Sequence, residues 1–129
     1  MGQQGKHLNS IKVSHEKHTA GCATEIMAIP ETVCISMSQH IGAPCKPLVK
    51  KGDQVKVGQL IGDTDAFVSA PIHSSVSGTV KEISTIRSVT GGDDQVVIIE
   101  TDGNQDVYEE IKPPVINDMK DFIAAVRAS

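Results

Sequence analysis

The chain has 129 residues, of which 39% are hydrophobic and only three are aromatic, and its formal net charge at pH 7 is −4. This composition is typical of a globular domain, and with no basic run longer than Lys50-Lys51 it argues against disorder and against nucleic-acid binding. No apolar run approaches the about 20 residues of a membrane helix, and the N-terminus lacks a signal-peptide core, so we predict one soluble cytosolic domain.

The first segment, residues 1–24, is polar and shows no sustained hydrophobic periodicity. We predict an arm that lies on the surface or is partly disordered. Its His15, His18 and Cys22 have a spacing that could supply three ligands to Zn²⁺. Because ordering a mobile arm opposes metal binding, we assign no metal site and expect solvated histidines.

The second segment, residues 25–112, has the composition of a β domain. The chain contains 14 Val and 14 Ile but only 3 Leu, and β-branched residues favour strands over helices. Apolar and polar residues alternate over 33–37, which predicts a half-buried strand. The other predicted strands lie at 55–57, 60–61, 79–83 and 95–100. The turn residues at 90–94 predict a hairpin between the last two, and the frequent turns favour a small sandwich or barrel.

The third segment, residues 113–129, is predicted to be a linker followed by the start of a helix. Apolar residues recur every three or four positions from Val115 to Val126, which indicates a helix with one apolar stripe. Asn117 is the predicted N-cap. The stripe needs a cover, so we expect the helix to lead into a further module outside this sequence.

A short motif occurs twice in the β segment. An offset of 27 aligns Ile41-Gly42-Ala43-Pro44 with Val68-Ser69-Ala70-Pro71, and after one further deletion Gly52 aligns with Gly78. Such a repeat predicts two similar β units packed about a pseudo-twofold axis. Chance recurrence of Ala-Pro beside β-branched residues is the alternative explanation.

The two repeats are similar to the two halves of biotinyl and lipoyl carrier domains. Residues 49–62 resemble the V-K-x-G-D-x-V-x-x-G-Q run of those domains, and 68–80 resemble their V-x-A-P…G-x-V half. The resemblance implies a mostly β fold, a barrel-sandwich hybrid of two hammerhead-like units, to which the short C-terminal helix is added. Carriers attach their cofactor to a lysine between the halves, where this chain has Ala66 or Val68. The carrier fold is therefore expected without the carrier chemistry.

The stretch 38–80 more closely resembles the N-terminal barrel-sandwich domain of the RnfC subunits of Rnf electron transport complexes. The similarity rests on SQHIGAP at 38–44, KPLVKKGD at 46–53 and DAFVSAPIHSSVSG at 65–78, with Gly5-Lys6-His7 as a degenerate form of the family's early G-x-H element. It implies a parent protein that is peripheral at the cytoplasmic face of the cell membrane, without direct membrane insertion. That parent would belong to an ion-translocating NAD:ferredoxin oxidoreductase, have the other subunits as partners, and carry FMN and two [4Fe–4S] clusters.

Neither parent cofactor is expected within these 129 residues. A [4Fe–4S] cluster needs four thiolates at short spacing, whereas Cys22, Cys34 and Cys45 are far apart and are expected to be ordinary, at least partly buried residues. No Gly-rich loop opens a helix, so a flavin phosphate has no cradle. We therefore assign no catalytic, cofactor-binding or metal-ligating residue.

The candidate partner-contact residues flank the two Ala-Pro turns. They are Gln39, His40, His73, Ser74 and Ser75, and we expect them to form an exposed patch for neighbouring subunits. The resulting hypothesis is a non-catalytic interaction and scaffold domain of an electron-transfer subunit. The alternative is a stand-alone biotinyl/lipoyl-like carrier or small-ligand-binding domain.

Overall fold

The structure, a computed structural model, describes residues 14–88 and 91–128. This part of the chain contains seven strands followed by one helix. They are β1 (Thr32–Ser36), β2 (Lys46–Pro47), β3 (Gln54–Val55), β4 (Leu60–Asp63), β5 (Ile72–His73), β6 (Gly78–Arg87), β7 (Asp93–Thr101) and α1 (Met119–Ala128). The predicted mostly β fold with a short C-terminal helix is confirmed.

The larger sheet has the strand order β1-β7-β6-β3, and every neighbouring pair in it is antiparallel. The predicted hairpin is its centre, because β6 and β7 pair over nearly their whole length. Residues 89 and 90, which include the first residue of the predicted turn, lie outside the described residues. Alternation in β1 buries Ile35 and the following Met37 while Cys34 stays exposed, as the period-two pattern predicted.

The smaller sheet has the order β2-β4-β5, and its two outer strands are only two residues long. The apolar side chains of both sheets meet in one core. The buried core residues are Ile35, Met37, Cys45, Val55, Ile61, Ile72, Val76, Val80, Val97 and Ile99. The hydrophobic effect of burying these side chains is the main stabilisation available to a domain with so few aromatic residues.

The two sequence repeats pair with each other through equivalent strands. β3 runs antiparallel to the start of β6, and Gln54 stands opposite Thr79. The next step of the ladder joins Val80 N–H to the Asp53 carbonyl at 2.9 Å, while Gly52 N–H donates to the Val80 carbonyl at 2.8 Å. The alignment of Gly52 with Gly78 makes residue 54 equivalent to residue 80 and residue 53 equivalent to residue 79. The pair of residues 54 and 79 is therefore equivalent to the pair of residues 80 and 53, as a twofold axis between the two strands requires. This local twofold arrangement is the one that the repeat predicted.

The predicted N-cap of α1 is wrong by one residue. Asp118, not Asn117, caps the helix: its carboxylate accepts the N–H of Asp121 at 2.8 Å, and its carbonyl accepts the N–H of Phe122 at 3.1 Å. The Asp121 carboxylate in turn accepts the N–H of Asn117 at 3.0 Å, an arrangement similar to a capping box.

No helix among the described residues combines the length and apolar content needed to cross a bilayer.

Helix α1 contacts the barrel through Arg127, a charged residue in its last turn. None of its residues is buried. The Arg127 guanidinium reaches back to the start of the segment between the two repeats, where Nη2 lies 2.6 Å from Asp63 Oδ1 and 3.0 Å from the Thr64 carbonyl oxygen. An exposed ion pair of this kind stabilises the position of the helix only weakly.

We expect the amide protons of α1 to exchange with solvent much faster than those of 96–99 in β7. A helix of this length is marginal without packing, whereas β7 is hydrogen-bonded on both sides in the larger sheet. Hydrogen exchange followed by mass spectrometry or NMR on the whole chain measures the difference. Equal protection in the two segments would show that the apolar stripe of α1 is covered in solution.

Residues 14–29 form no strand or helix and are exposed. The chain joins the barrel at Pro30 and Glu31, whose carbonyls accept the Thr101 hydroxyl at 2.6 Å and the Thr101 N–H at 3.0 Å. The surface arm predicted for residues 1–24 can be compared with the structure only over 14–24, because residues 1–13 lie outside the described part of the chain.

Candidate interaction site

The motif-bearing loops of both repeats meet at one end of the barrel. We call this the join-loop end and define it as residues 38–44 and 64–71. Ala43 N–H donates to the Val68 carbonyl at 3.0 Å, and the Cys45 thiol donates to the Ala70 carbonyl at 3.1 Å. The Ala-Pro segments, which the repeat aligns in sequence, thus lie side by side.

Gly42 permits the close approach of the two loops. A Cβ atom at this position would lie 1.9 Å from the Val68 carbonyl oxygen and 2.6 Å from its carbonyl carbon. These atoms belong to the backbone and cannot rotate away, so any other residue at position 42 would push the loops apart. The Ile41-Gly42-Ala43-Pro44 motif is therefore a structural requirement of the join-loop end.

His40 ties the two loops together. Its ring is half-buried, with Nδ1 3.1 Å from the Gly42 N–H nitrogen and Nε2 3.1 Å from the Ala70 N–H nitrogen. A neutral imidazole has one acceptor nitrogen, so only one of these N–H groups donates to it in a given tautomer. The tautomer with its proton on Nδ1 accepts the Ala70 N–H at Nε2 and so joins the two loops. The Cys45 sulfur lies 3.8 Å from Nε2, and burial raises the pKa of this thiol. His40 therefore holds the loops together more than it presents a contact surface.

The segment between the repeats is also ordered by its own side chains. Thr64 N–H donates to the Asp63 carboxylate at 2.8 Å, and the Ser69 hydroxyl donates to the Ala66 carbonyl at 2.7 Å. Arg127 binds the same carboxylate from α1. These contacts fix the backbone on both sides of Phe67, the residue at the turn.

The join-loop end exposes three apolar side chains, which we call the apolar tip: Ile41, Phe67 and Val68. The first two are fully exposed, at 102% and 103%, and Val68 is 57% exposed. We did not predict these residues to be functional. The signal in the sequence was a phenylalanine, one of only two, placed between turn residues where no apolar periodicity gives it a buried face.

The carboxyl group of Asp63 is the titrating group that links α1 to the join-loop end. The Arg127 hydrogen bond, followed by that from Thr64 N–H, holds the pKa of Asp63 below the ordinary 3.8. A carboxylate with a lowered folded-state pKa stabilises the fold above its unfolded-state pKa, and this contribution is lost as the pH falls through the folded-state value. The stabilisation from the Asp63–Arg127 pair is therefore present at neutral pH and is lost as the pH falls below 3.8.

Arg127→Ala is expected to return the pKa of Asp63 towards 3.8. The pKa of Asp102 is also lowered, but by the Ser77 hydroxyl on the β6 side of the barrel, so it should not respond. An NMR titration of the side-chain carboxyl carbons measures both residues in one sample. An unchanged Asp63 titration would contradict the Arg127 contact.

The candidate contact residues do not form one exposed patch. Gln39 and His40 border a shallow hollow that is lined on its other side by Ile86 and Arg87. His73 lines a different groove, beside α1 and Tyr108. Ser75 is exposed.

Ser74 is the candidate that the structure corrects. It is only 2% exposed, and its hydroxyl donates to the Val76 carbonyl at 2.7 Å. Its N–H donates to the Gln59 carbonyl and its carbonyl accepts the Gly58 N–H. It stabilises a turn in the barrel and cannot belong to an exposed surface, because its polar groups are used internally.

The described residues do not fit a metal ion or an iron–sulfur cluster. No three His, Cys, Asp or Glu side chains among them are grouped closely enough to hold a metal. His18 instead pairs with Glu16. The expectation of partly buried cysteines holds for Cys45 alone, because Cys22 and Cys34 are exposed. The N-terminus of α1 does not fit a cofactor phosphate, since the carboxylates of Asp118 and Asp121 occupy it.

Comparison with known proteins gives a family match and several relatives. Residues 6–104 match the family model described as the RnfC barrel sandwich hybrid domain. The chain is 48% identical over 96 residues to the C subunit of the proton-translocating ferredoxin:NAD(+) oxidoreductase complex of Clostridium ljungdahlii, covering 74% of this chain and 21% of that protein. It is 49% identical over 84 residues to the C subunit of the Na(+)-translocating complex of Acetobacterium woodii, covering 65% and 19%.

A more distant relative is the C subunit of an ion-translocating oxidoreductase complex of Methanosarcina acetivorans, 39% identical over 79 residues. The matches span about a fifth of the length of these curated relatives. The family match covers all seven described strands, both repeats and the join-loop end, and agrees with the observed architecture. The chain belongs to the RnfC barrel sandwich hybrid domain family.

Proposed function

We propose that this chain is a non-catalytic interaction and scaffold domain of the RnfC protein in an ion-translocating ferredoxin:NAD oxidoreductase complex. The proposal is supported by the family match and by relatives that are named as the C subunits of such complexes. Within it, the domain binds other subunits at the cytoplasmic face of the membrane. Flavin and iron–sulfur chemistry then belongs to the larger part of RnfC that the matches do not cover.

The observation that carries the proposal is the character of the segment between the repeats. In a carrier domain this segment presents a lysine on which the cofactor is mounted, but this chain has no lysine between Lys56 and Lys81. The side chains presented instead are apolar, Phe67 and Val68, on a hydrogen-bonded loop. Exposed apolar side chains on a fixed backbone serve association, since no reactive group accompanies them.

The test is co-assembly with the rest of the complex. The chain, carrying an affinity tag, is produced together with the other subunits from its own source in cells that lack native RnfC. We expect those subunits to co-purify with the chain without NADH oxidation by the chain alone. A tagged barrel-sandwich domain from a biotin-dependent enzyme is the control for nonspecific binding of the subunits to any domain of this fold. Failure of the subunits to co-purify would contradict the scaffold role.

The alternative function is a stand-alone biotinyl/lipoyl-like carrier or small-ligand-binding domain, and its carrier form makes the opposite prediction for covalent modification. We expect biotin ligase or lipoate ligase to add no mass to the chain, because neither Ala66 nor Val68 has the amine that forms the amide bond. Intact-mass spectrometry after incubation measures the result, and a known carrier domain in the same reaction shows that the ligase is active. A biotinyl or lipoyl adduct would favour the carrier over the scaffold.

A further inference from the structure

The apolar tip combines exposure with a fixed position. Phe67 and Ile41 are fully exposed, while the backbone beneath them is held by the His40, Ala43 and Cys45 contacts described above. Ordering a loop opposes association, so a loop that is ordered beforehand binds with a smaller entropic loss. Aromatic side chains, phenylalanine among them, are enriched at the cores of protein interfaces.

The charges around the apolar tip are arranged unequally. No lysine or arginine occurs between Lys56 and Lys81, whereas the loop carries Asp63 and Asp65. Three cations among the described residues lie near this end. Arg127 binds Asp63, and Lys46 lies opposite Asp63 in the β2–β4 register. Arg87 lines the same hollow as Ile41 and pairs with Asp93. Asp65 is exposed, two residues from Phe67, and forms no ion pair within the described residues. The tip therefore presents an apolar surface with the unpaired carboxylate of Asp65 at its edge.

From this arrangement we infer that the apolar tip inserts into an apolar cleft on another protein subunit, and that a lysine or arginine at the rim of that cleft pairs with Asp65. The inference rests on the proposed scaffold function and names the surface that performs it. Insertion would bury Phe67 in the centre of the contact, with Ile41 and Val68 beside it. Asp65 would lie at the edge, where a charge pair favours correct docking and fast association.

A lipid surface fits these residues less well. Loops and helices that dock on the anionic cytoplasmic leaflet combine apolar residues with lysine and arginine, because the headgroups repel acidic side chains. The segment between the repeats carries Asp63 and Asp65 and no lysine or arginine, and the net charge of the whole chain is −4. The observations therefore favour a protein cleft with a basic rim over a membrane.

The test measures the affinity of the 129-residue chain for the remaining subunits of its own complex, purified without RnfC. Phe67→Ser and Val68→Ser are expected to weaken binding at least about tenfold. Val107→Ser is the matched control: Val107 is 60% exposed, close to the 57% of Val68, but lies in the segment that follows β7. It should change the affinity less than about twofold. All three variants should keep the wild-type melting temperature, because these side chains are not in the core.

The charge part of the inference is tested by Asp65→Lys. Reversing this charge is expected to slow association in low salt, and the difference from wild type should shrink as ionic strength rises. The control is Asp106→Lys, because Asp106 is exposed and lies in the segment after β7. Asp53 is less suitable as a control, because its carboxylate accepts the Lys50 N–H. Equal association rates for the wild type and Asp65→Lys at all salt concentrations would overturn the basic rim.

The possible outcomes distinguish a failure of the inferred contact surface from a failure of the proposed scaffold function. If the wild type binds and the tip variants bind equally well, the inference fails while the scaffold function stands. If the wild type does not bind, both fail. Flotation of the wild type with phosphatidylcholine–phosphatidylglycerol vesicles, lost in Phe67→Ser, would identify a lipid occupant. A wild-type dimer in analytical ultracentrifugation, lost in the same variant, would identify a second copy, and either result overturns the protein-cleft proposal.

Discussion

Replacing Ile99 with alanine is expected to lower the free energy of unfolding by about 2–5 kcal/mol. Ile99 is fully buried in β7, between Val33 of β1 and Val80 of β6, at the centre of the larger sheet and within the core. The substitution removes buried apolar surface and leaves a cavity that paired strands cannot close. Since a domain of this size is stable by only about 5–15 kcal/mol, the loss is a large part of the total.

Urea unfolding followed by circular dichroism measures this change. The slope of the unfolding free energy against urea concentration should stay the same if the folded state is otherwise intact. Ile98→Ala is the matched control, because Ile98 is adjacent in the strand, points to the opposite face and is only partly buried. It should cost clearly less than Ile99→Ala. Equal losses at the two positions would contradict the assignment of the buried face of β7.

Gly78→Ala is expected to destabilise the domain by about 3 kcal/mol or to prevent folding. A Cβ at this position would lie 2.1 Å from the Glu100 carbonyl oxygen and 2.9 Å from the Thr101 Cα. Both atoms belong to the backbone of β7, and Gly78 also pairs with Val55 of β3. The added methyl group must therefore separate strands on which both repeats depend.

Gly92→Ala provides the comparison for this substitution. No heavy atom lies within 4 Å of a Cβ built at Gly92, which stands in the turn before β7. The change should leave the melting temperature within about 2 °C of the wild type, because surface substitutions without a special role are nearly neutral. If Gly78→Ala were as stable as Gly92→Ala, the close approach of β6 and β7 would be wrong.

The sequence predicted the parts of the fold whose signal extends over several residues. The alternation over 33–37 predicted β1, and the β-branched runs around a glycine-rich turn predicted the β6–β7 hairpin. The two-residue strands β2 and β5 have no periodicity of their own, so the only strand of the smaller sheet that was predicted individually is β4, as the strand at 60–61. The bulge that shifts the register between Val80 and Glu82 could not be predicted, because the backbone geometry and not the residue type decides where the extra residue lies.

The N-cap was misplaced because Asn117 and Asp118 are equally good caps by residue type. The distinguishing signal was Asp121, three residues after Asp118, which could have identified the cap from spacing alone. At the join-loop end, the Ala-Pro motifs correctly marked a special region but not the residues exposed on it. Polar side chains were expected at the surface, yet Ser74 satisfies a turn inside the barrel and His40 bridges two loops. Which side of a loop faces solvent is decided by contacts distant in sequence.

Beyond the contact of Glu31 with Thr101, the chain continues along the barrel and does not leave it. Tyr108 N–H donates to the Val57 carbonyl at 2.9 Å, and Arg127 of α1 reaches Asp63 beside the join-loop end. The join-loop end itself lies beyond the far end of β1, about 16 Å from Glu31 for a five-residue strand. A displacement of α1 therefore reaches the join-loop end through one side chain, without first passing through the core of the barrel.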